Sequence, residues 1–463
     1  MPVNSFENYP MTWKPVIDRT IKPLYLSLAN QLEQDIIKGS ILPGTKLPPY
    51  RELADFLDIN VSTVAKAFKV CLLKGLLSTT VGSGTFVSFD ALSNAYLLAE
   101  GRPKNLIEMG ATIPEPSSYE PLMLLFKNMM NESDFAKWFS YSRPNDVLWQ
   151  KDAAVKLMGK GGYITDIETI LFANGGQNAI TAILAGLCKH GDKIGTDPHT
   201  YPGLKTTAGM LGIQLVPIKH TDGEMDEHAL INACKNENLK GIYLIPDNQN
   251  PTTHKMSLVR RKALAQTAKE YNIFIIEDAA YHLMCEKPIP AVASFAPEQT
   301  IYIASLSKTI GPGLRLAYVS VPKQYKKPLS NALYNLNISI SPLMAELAAR
   351  MIVSRNIDTI IDSHRKNTIL RNQLVNAYLS EYDCRGENTC IFRWLILPTK
   401  ISGAGFERLA LEHGVQVYAA ERFIVGKSIP EKAVRISVCA PETIEELEQG
   451  LKVLQRLLDS LHS

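Results

Sequence analysis

Seven short apolar runs, most of them separated by segments long enough for a helix, dominate the chain after about residue 106. The runs are TILFA (169–173), KIGTD (193–197), IQLVP (213–217), GIYLI (241–245), IFIIE (273–277), IYIA (301–304) and LAYVSV (316–321). Such runs are typical of strands that are buried on both faces of a largely parallel sheet. The alternation therefore predicts an α/β layer architecture with ligand chemistry at the strand ends. Beyond about residue 330 the alternation loosens, which predicts a smaller second subdomain.

A chain of 463 residues is too long for one hydrophobic core, so at least two domains are expected. No apolar run reaches the roughly 18 to 20 residues that a membrane span requires, so no membrane partner is expected. The N-terminus lacks a basic segment followed by an apolar one, which argues against an export signal. The seven cysteines are scattered and none forms a CxxC pair, which disfavours a zinc site and a disulfide framework. These features predict a cytoplasmic protein without a metal.

The N-terminal part carries short helical patterns that end in a glycine-rich hairpin. The run YLSLANQLEQDIIKG (25–39) predicts a helix with four apolar side chains near one face, namely Leu26, Leu28, Leu32 and Ile36. Two shorter helices are predicted next, over Tyr50–Leu57 and from Val61 to about Leu73, with Asn60 able to cap the second. The stretch LLSTTVGSGTFVS then reads as two β-runs around residues 81–84, a hairpin wing.

Two short helices joined by a tight turn are typical of a helix-turn-helix, whose second helix can lie in a DNA major groove. The predicted second helix presents hydroxyl and ammonium groups that suit phosphate oxygens and a base edge, on Ser62, Thr63, Lys66 and Lys69. The pattern alone is also compatible with an unrelated small helical domain that carries a solvated lysine pair.

The run from residue 23 to residue 87 resembles a GntR-type winged helix along its whole length. The resemblance is carried by GSILPGTKLP (39–48), Arg51, the pair Thr63-Val64 and the wing GSGTFV (82–87). It implies a DNA-binding domain over residues 13–88 and double-stranded DNA as a partner. The contacts that it implies come from Arg51, Ser62, Thr63, Lys66, Lys69, Gly82 and Gly84. The family commonly has Ser-Arg where this chain has Asn60-Val61, so the family's usual DNA sequence is not carried over.

Five motifs stand in order at the predicted strand ends, namely ANGGQNA (173–179), DPHTYPG (197–203), PDNQNPT (246–252), IIEDAAY (275–281) and SLSKTIGPGLR (305–315). Glycines and free amides at a helix start can bind phosphate, although many strand-to-helix turns are glycine-rich. Tyr201 could pack in the core or stack at the mouth of the sheet. The two adjacent acidic residues of IIEDAAY could supply a general base, a metal ligand or a partner for a cationic ring. Lys308 could be a surface residue or an amine for Schiff-base chemistry.

An aspartate and then a lysine at successive strand ends form the arrangement that pyridoxal phosphate requires. The five motifs in this order resemble the fold-type I aminotransferases, and the resemblance covers about residues 106–463, with the small subdomain over about 331–463. It implies pyridoxal 5'-phosphate as the cofactor and catalytic roles for three residues. Lys308 would bond to the cofactor's aldehyde, Asp278 would pair with the ring nitrogen, and Tyr281 would hydrogen-bond the phenolic oxygen.

The same resemblance implies further contacts around the cofactor. Tyr201 would stack on the ring, and Asn250 would join Tyr281 at the phenolic oxygen. The phosphate would be held by Gly175, Gly176, Gln177, Ser305, Ser307 and Arg315. Arg435 matches the arginine that binds a substrate α-carboxylate, and Tyr141 matches a tyrosine that reaches the phosphate of a neighbouring subunit. Thr253 and Ala317 stand where the family has glycine, and these departures bear on substrate turnover more than on cofactor binding.

The two resemblances together, joined by a predicted linker over residues 89–105, resemble the MocR group of regulators. That architecture implies a homodimer that binds DNA and senses pyridoxal phosphate or an amino compound. The alternative is an active aminotransferase that moves an amino group between an amino acid and a 2-oxo acid. A winged-helix repressor with a cofactor-free large domain is a third possibility, which the intact Lys308 and Asp278 count against.

Overall fold

The computed structural model describes residues 11–37, 40–41, 45–74, 76–80, 84–88, 106–114, 119–141, 144–426 and 428–462. Within these ranges, residues 11–88 and residues 106–462 have separate hydrophobic cores. We call them the N-terminal module and the large module. The predicted linker over residues 89–105 lies outside the described residues.

The N-terminal module contains three helices and a two-stranded sheet, in the order α1 (Leu24–Ile37), α2 (Tyr50–Leu57), α3 (Val61–Leu73), β1 (Leu77–Thr80) and β2 (Gly84–Val87). The bounds predicted for α2 and α3 are confirmed. The strands β1 and β2 are antiparallel, with Leu77 opposite Val87, as expected for a wing. Two aromatic rings, those of Trp13 and Tyr50, pack against Phe68 of α3.

Two expectations for this module are wrong. The buried side of α1 is formed by Leu28, Leu32 and Ile36. Leu26 is 36% exposed, because two residues of an α-helix turn its side chain about 200° around the helix axis from that of Leu28. Asn60 occupies the position before α3, but its side chain makes no capping hydrogen bond. Its backbone carbonyl accepts from the N–H of Thr63 at 2.8 Å instead.

The large module begins with β3 (Ile107–Glu108) and α4 (Glu120–Met130). Its other helices are α5 (Pro144–Lys160), α6 (Gly176–Leu187), α7 (Pro202–Leu211), α8 (Glu227–Glu237), α9 (Leu258–Glu270), α10 (Lys323–Asn337), α11 (Pro342–Val353), α12 (Asn356–Leu379), α13 (Gly403–Glu412) and α14 (Ile444–His462). Short 3-10 helices cover Phe135–Phe139, Ile167–Thr169, His282–Met284, Val292–Ser294, Pro312–Leu314 and Ala420–Arg422.

A seven-stranded sheet forms the centre of the large module. It consists of β4 (Ile170–Ala173), β5 (Lys193–Thr196), β6 (Gln214–Pro217), β9 (Leu239–Leu244), β10 (Phe274–Asp278), β11 (Thr300–Ser305) and β12 (Ala317–Ser320). The order is β4-β12-β11-β10-β9-β5-β6, and β12 runs antiparallel to the other six strands of this sheet. All seven predicted strands are confirmed, with bounds that differ by two residues at most. The carboxyl ends of the parallel strands therefore meet at one edge.

The remaining strands are short. A hairpin is formed by β7 (His220–Thr221) and β8 (Glu224–Met225), and β3 pairs in parallel with β15 (Val415–Gln416). An antiparallel four-stranded sheet contains β13 (Cys384–Arg385), β14 (Phe392–Ile396), β17 (Ala433–Ser437) and β16 (Tyr418–Ala419) in that order. This second sheet lies within residues 331–463, where the sequence predicts a smaller α+β subdomain. Across the described ranges, no helix is long and apolar enough to span a bilayer.

Phe68 is fully buried in the core of the N-terminal module, with its ring centroid 5.0 Å from that of Tyr50. We expect Phe68→Ala to lower the free energy of unfolding of this module by about 3–5 kcal/mol, because it removes a large side chain and leaves a cavity. The matched control is Val61→Ala on the same helix, since Val61 is 40% exposed. Urea denaturation of the full chain, followed by far-UV circular dichroism, measures both. Equal effects of the two substitutions would contradict the burial of Phe68.

Candidate functional site

A cavity of about 270 Å³ opens at the carboxyl edge of the seven-stranded sheet. Its lining includes eleven predicted site residues, namely Gly176, Gln177, Tyr201, Asn250, Asp278, Tyr281, Ser305, Ser307, Lys308, Arg315 and Arg435. Gly175 adjoins them, because a Cβ atom there would lie 2.7 Å from Nη2 of Arg315. Tyr141 lies outside this lining and is 74% exposed. The structure thus brings together all but one of the residues predicted for the large module.

Lys308 lies three residues beyond the end of β11, and its amine points into the cavity. Its Nζ donates to the carbonyl oxygen of Thr112 and lies 3.4 Å from the Thr112 hydroxyl. Burial lowers the pKa of Lys308 to about 8, and the charges of Arg435 and Arg315 act in the same direction, against Asp278. A lysine with this pKa has a substantial neutral fraction near neutral pH, and the neutral amine is the nucleophile that attacks a carbonyl.

Asp278 ends β10 and lies opposite Ile303 of β11 in the parallel pairing. Its Oδ2 accepts from the hydroxyl of Tyr243 at 2.8 Å, and its Oδ1 accepts from the N–H of Ala280 at 3.2 Å. Burial raises the pKa of Asp278 above its ordinary value, although both hydrogen bonds and the Lys308 charge act against this. A carboxyl group of this kind can share a proton with the cationic nitrogen of a bound ring.

One end of the cavity can bind an anion. Helix α6 begins there, directly after Gly175, whose φ of +85° is a conformation that favours glycine. The first N–H groups of a helix have no partner within it, so they can donate to a phosphate. Ser305 and Arg315 add a hydroxyl and a guanidinium, and Arg315 is held by a hydrogen bond of 3.2 Å to the carbonyl of Asn174.

Arg435 reaches the other end of the cavity from β17 of the second sheet. It donates to Oδ1 of Asn250 at 2.5 Å and to the carbonyl oxygen of Gly110 at 2.7 Å. Burial lowers its pKa to about 10, so it stays charged at neutral pH. The charge of Glu108 acts on its pKa, but no carboxylate among the described residues forms an ion pair with it, and its Nε has no hydrogen-bond partner. A buried guanidinium in this state suits the carboxylate of a ligand.

Tyrosine hydroxyls between the two ends are held in the neutral form. Burial raises the pKa of Tyr201 to about 12, and it also raises the pKa of Tyr281. Both groups therefore remain hydrogen-bond donors over the physiological pH range.

Sequence reasoning missed several groups that contact the predicted ones. Tyr243, on β9, donates a hydrogen bond to Asp278. The sequence did contain a signal for this contact, because the hydroxyl of a tyrosine buried in an otherwise apolar strand requires a hydrogen-bond partner. Thr112 and Gly110 accept from Lys308 and Arg435 through backbone carbonyls, for which no side-chain pattern gives a signal.

In the N-terminal module, four of the residues predicted to bind DNA lie on α3. Ser62, Lys66 and Lys69 are exposed at helical spacing, and Thr63 is half-buried beside them. Arg51 of α2 is also exposed. Gly84 opens β2 with a φ of +123°, whereas Gly82 lies outside the described residues.

Comparisons with known proteins give matches over both modules. Residues 104–454 match the family described as aminotransferase class I and II, and residues 24–87 match the bacterial regulatory proteins of the gntR family. The chain is 66% identical, over 100% of both chains, to the uncharacterized HTH-type transcriptional regulator YdeF of Bacillus subtilis (strain 168). It is 24% identical to the regulator YcxD of the same organism, over 93% of this chain and 98% of YcxD.

Among solved structures, the large module is similar to LysN, an α-aminoadipate aminotransferase from Thermus thermophilus. The TM-score is 0.69 and the identity is 22%, over 78% of this chain and 93% of LysN. A likeness at this identity shows the fold.

The lowered pKa of Lys308 predicts how fast the cofactor-free protein takes up pyridoxal phosphate. The neutral amine reacts, so the uptake rate should rise about tenfold per pH unit well below pH 8 and level off above it. Stopped-flow absorbance of the visible band, from pH 6 to 9.5, measures this rate. Lys308→Ala serves as the control and should give no band. A rate that still rises about tenfold per pH unit up to pH 9.5, as the ordinary lysine pKa of 10.5 requires, would contradict the assignment.

Proposed function

This chain belongs to the class I and II aminotransferase family and to the HTH-type transcriptional regulators that carry a gntR-family domain, and on that premise we propose that it couples DNA binding to pyridoxal phosphate and an amino compound. The observation that carries the proposal is the cavity, which is lined by the amine of Lys308, the carboxyl of Asp278 and the guanidinium groups of Arg315 and Arg435. The curated relatives bear the names of regulators, which favours regulation over aminotransferase turnover.

The residues present fit the proposed cofactor. Bound pyridoxal phosphate supplies an aldehyde that accepts an amine and a ring that withdraws electrons. The start of α6, with Ser305, Ser307 and Arg315, would hold its phosphate, and Gly175 leaves room that a side chain would fill. Asp278 would keep a proton on the ring nitrogen, because its carboxyl is fixed by Tyr243.

The other side chains of the cavity would orient the cofactor and the ligand. Tyr201 would stack on the ring, while Asn250 and Tyr281 would donate to its phenolic oxygen. The neutral amine of Lys308 would hold the cofactor at its aldehyde end, and the amine of an amino compound would compete for the same place. Arg435 would pair with the carboxylate of that compound and fix its direction.

We also propose that the protein acts as a homodimer. Exposed apolar side chains follow one another along the chain from α4 into the next 3-10 helix, including Met123 (58%), Leu124 (60%) and Phe139 (75%). A surface of this kind is typical of a protein–protein interface. Tyr141 follows it directly, where it could reach the phosphate of the partner subunit.

A route for coupling exists in the segment of residues 106–114, which we call the entry segment because it follows the predicted linker. Its strand β3 is fixed on β15, and its Met109 carbonyl accepts from the N–H of Ser437 at 2.6 Å. Beyond that point, Gly110 and Thr112 accept from Arg435 and Lys308 through their carbonyls. The entry segment therefore touches both cations that a ligand would engage.

Ligand binding would change these contacts. The Lys308 amine, when it holds the cofactor, would no longer donate to the Thr112 carbonyl as before, and an amino compound that took its place would release the amine again. A ligand carboxylate on Arg435 would compete with the Gly110 carbonyl. The ligand would thus favour one arrangement of the entry segment over another, which is the free-energy difference that coupling requires.

The DNA-binding face of α3 generates one prediction. The DNA used is the segment upstream of the protein's own gene. We expect the double variant Lys66→Gln/Lys69→Gln to bind this DNA at least tenfold more weakly than the wild type. Because two phosphate contacts are lost, the slope of log K against log salt should fall by about 2. The control is Lys323→Gln with Lys400→Gln, two exposed lysines of the large module. Fluorescence anisotropy at several salt concentrations measures both. Equal slopes in the two double variants would place the contacts elsewhere.

The entry segment generates another prediction. Glu108 is buried and accepts from the N–H groups of Gly110 and Ala111 at 2.7 and 2.9 Å. Glu108→Ala should leave those groups without their acceptor and loosen the segment, so the change in DNA affinity on adding pyridoxal phosphate should shrink at least threefold. Glu120→Ala, at an exposed site on α4, is the control. A response as large as that of the wild type, in a variant that still shows the cofactor band, would rule out this route.

A further inference from the structure

The part of the cavity that is left for a ligand is mostly apolar. Among the described lining residues without a predicted cofactor role, only Thr112, Tyr418, Arg422 and Arg435 carry polar side-chain groups. The others include Ile113 and Phe423. Arg422 is thus the one charged side chain in this part of the lining besides Arg435, and its state decides which ligands the cavity accepts.

The charge of Arg422 is already matched by Glu407 of α13. The guanidinium Nε lies 3.1 and 3.0 Å from the two carboxylate oxygens of Glu407, and Nη2 also contacts Oε1. Glu407 is itself fixed, because it accepts from the N–H of Ala419 at 2.7 Å and from Gln416 at 3.3 Å. The guanidinium also lies 4.7 Å from the ring centroid of Tyr418. Arg422 therefore has its counter-charge within the protein.

Arg435 differs from Arg422 in this respect. Its hydrogen bonds go to the neutral acceptors of Asn250 and Gly110, and its guanidinium faces the ring of Phe423 at 4.8 Å. Since a buried cation without an anion is costly, this guanidinium is the place for one ligand carboxylate. A second carboxylate would meet apolar side chains and an arginine that is already paired. A cationic side chain would meet two guanidinium groups.

We propose that the amino compound is a monocarboxylic amine with an uncharged side group, of the neutral amino acid class, and that the Glu407–Arg422 pair excludes a second carboxylate. This inference rests on the proposed function, since it concerns the ligand that joins pyridoxal phosphate in the same cavity. Glu407 and Arg422 act here as specificity-determining residues.

The test uses the full-length protein loaded with pyridoxal phosphate. Six amino acids are titrated, namely L-alanine, L-leucine, L-phenylalanine, L-aspartate, L-glutamate and L-lysine, and binding is followed by visible absorbance and by calorimetry. We expect at least one neutral amino acid to bind at least tenfold more tightly than L-aspartate, L-glutamate and L-lysine. Equal or tighter binding of a charged amino acid by the wild type would overturn the inference.

Glu407→Gln tests the pair itself. The amide keeps an acceptor for Arg422 and removes the negative charge, so the ratio of L-glutamate affinity to L-leucine affinity should rise at least tenfold. The matched control is Glu421→Gln, a buried carboxylate nearby that accepts from the N–H of Ala404 at 3.1 Å, and it should change the ratio less than twofold. Equal changes in both variants would overturn the role of Glu407.

Two outcomes separate this inference from the proposed function. A protein that shows the cofactor band and binds DNA, but binds none of the six amino acids, would overturn the inference and leave the cofactor and DNA proposals intact. A protein without a cofactor band would contradict the proposed function itself. The ranking in the wild type decides between neutral and charged ligands even if Glu407→Gln does not fold.

Discussion

The parallel pairing of β9, β10 and β11 is the constraint on which the cavity depends. It sets Asp278 opposite Ile303, so that the aspartate and Lys308, a few residues beyond, lie at one edge of the sheet. Side chains alternate along a strand, so Glu277 points to the opposite face, where it accepts from the N–H groups of Val292 and Ala293. A shift of the register by one residue would turn Asp278 to the opposite face and remove its carboxyl group from the cavity.

A second layer of buried charge stabilises the loop after β9. Asp247 pairs with Arg261 at 2.6 Å and with Nδ1 of His282 at 2.7 Å. Although burial alone would lower the pKa of His282, Asp247 and the Gly161 carbonyl raise it, because both ring nitrogens face acceptors. These contacts fix the loop that carries Asn250, and Asn250 in turn positions Arg435 from the second sheet. The two sheets are thereby joined at the ligand-binding end.

Strand positions and motif residues could be predicted because each depends on local pattern. Strands buried on both faces must be apolar, and the glycine before α6 must allow a positive φ. The contacts of the cations could not be predicted in the same way. Thr112 is almost 200 residues from Lys308 in the chain, and its carbonyl is an acceptor that every residue type carries. The predicted capping hydrogen bond of Asn60 is absent. An asparagine at this position can make that bond, but its presence does not determine the side-chain conformation that the bond requires.

The sequence by itself determined the two modules, the seven strands and the identity of the residues around the cavity, since these follow from periodicity and from motifs that are contiguous in the chain. Only the tertiary structure decided which charges remain available. Arg422 and Arg435 are both buried arginines, yet one faces Glu407 and the other faces neutral acceptors. That difference arises because packing of α13 and β17 sets the distance between side chains that are far apart in sequence, and the distance sets the electrostatic energy.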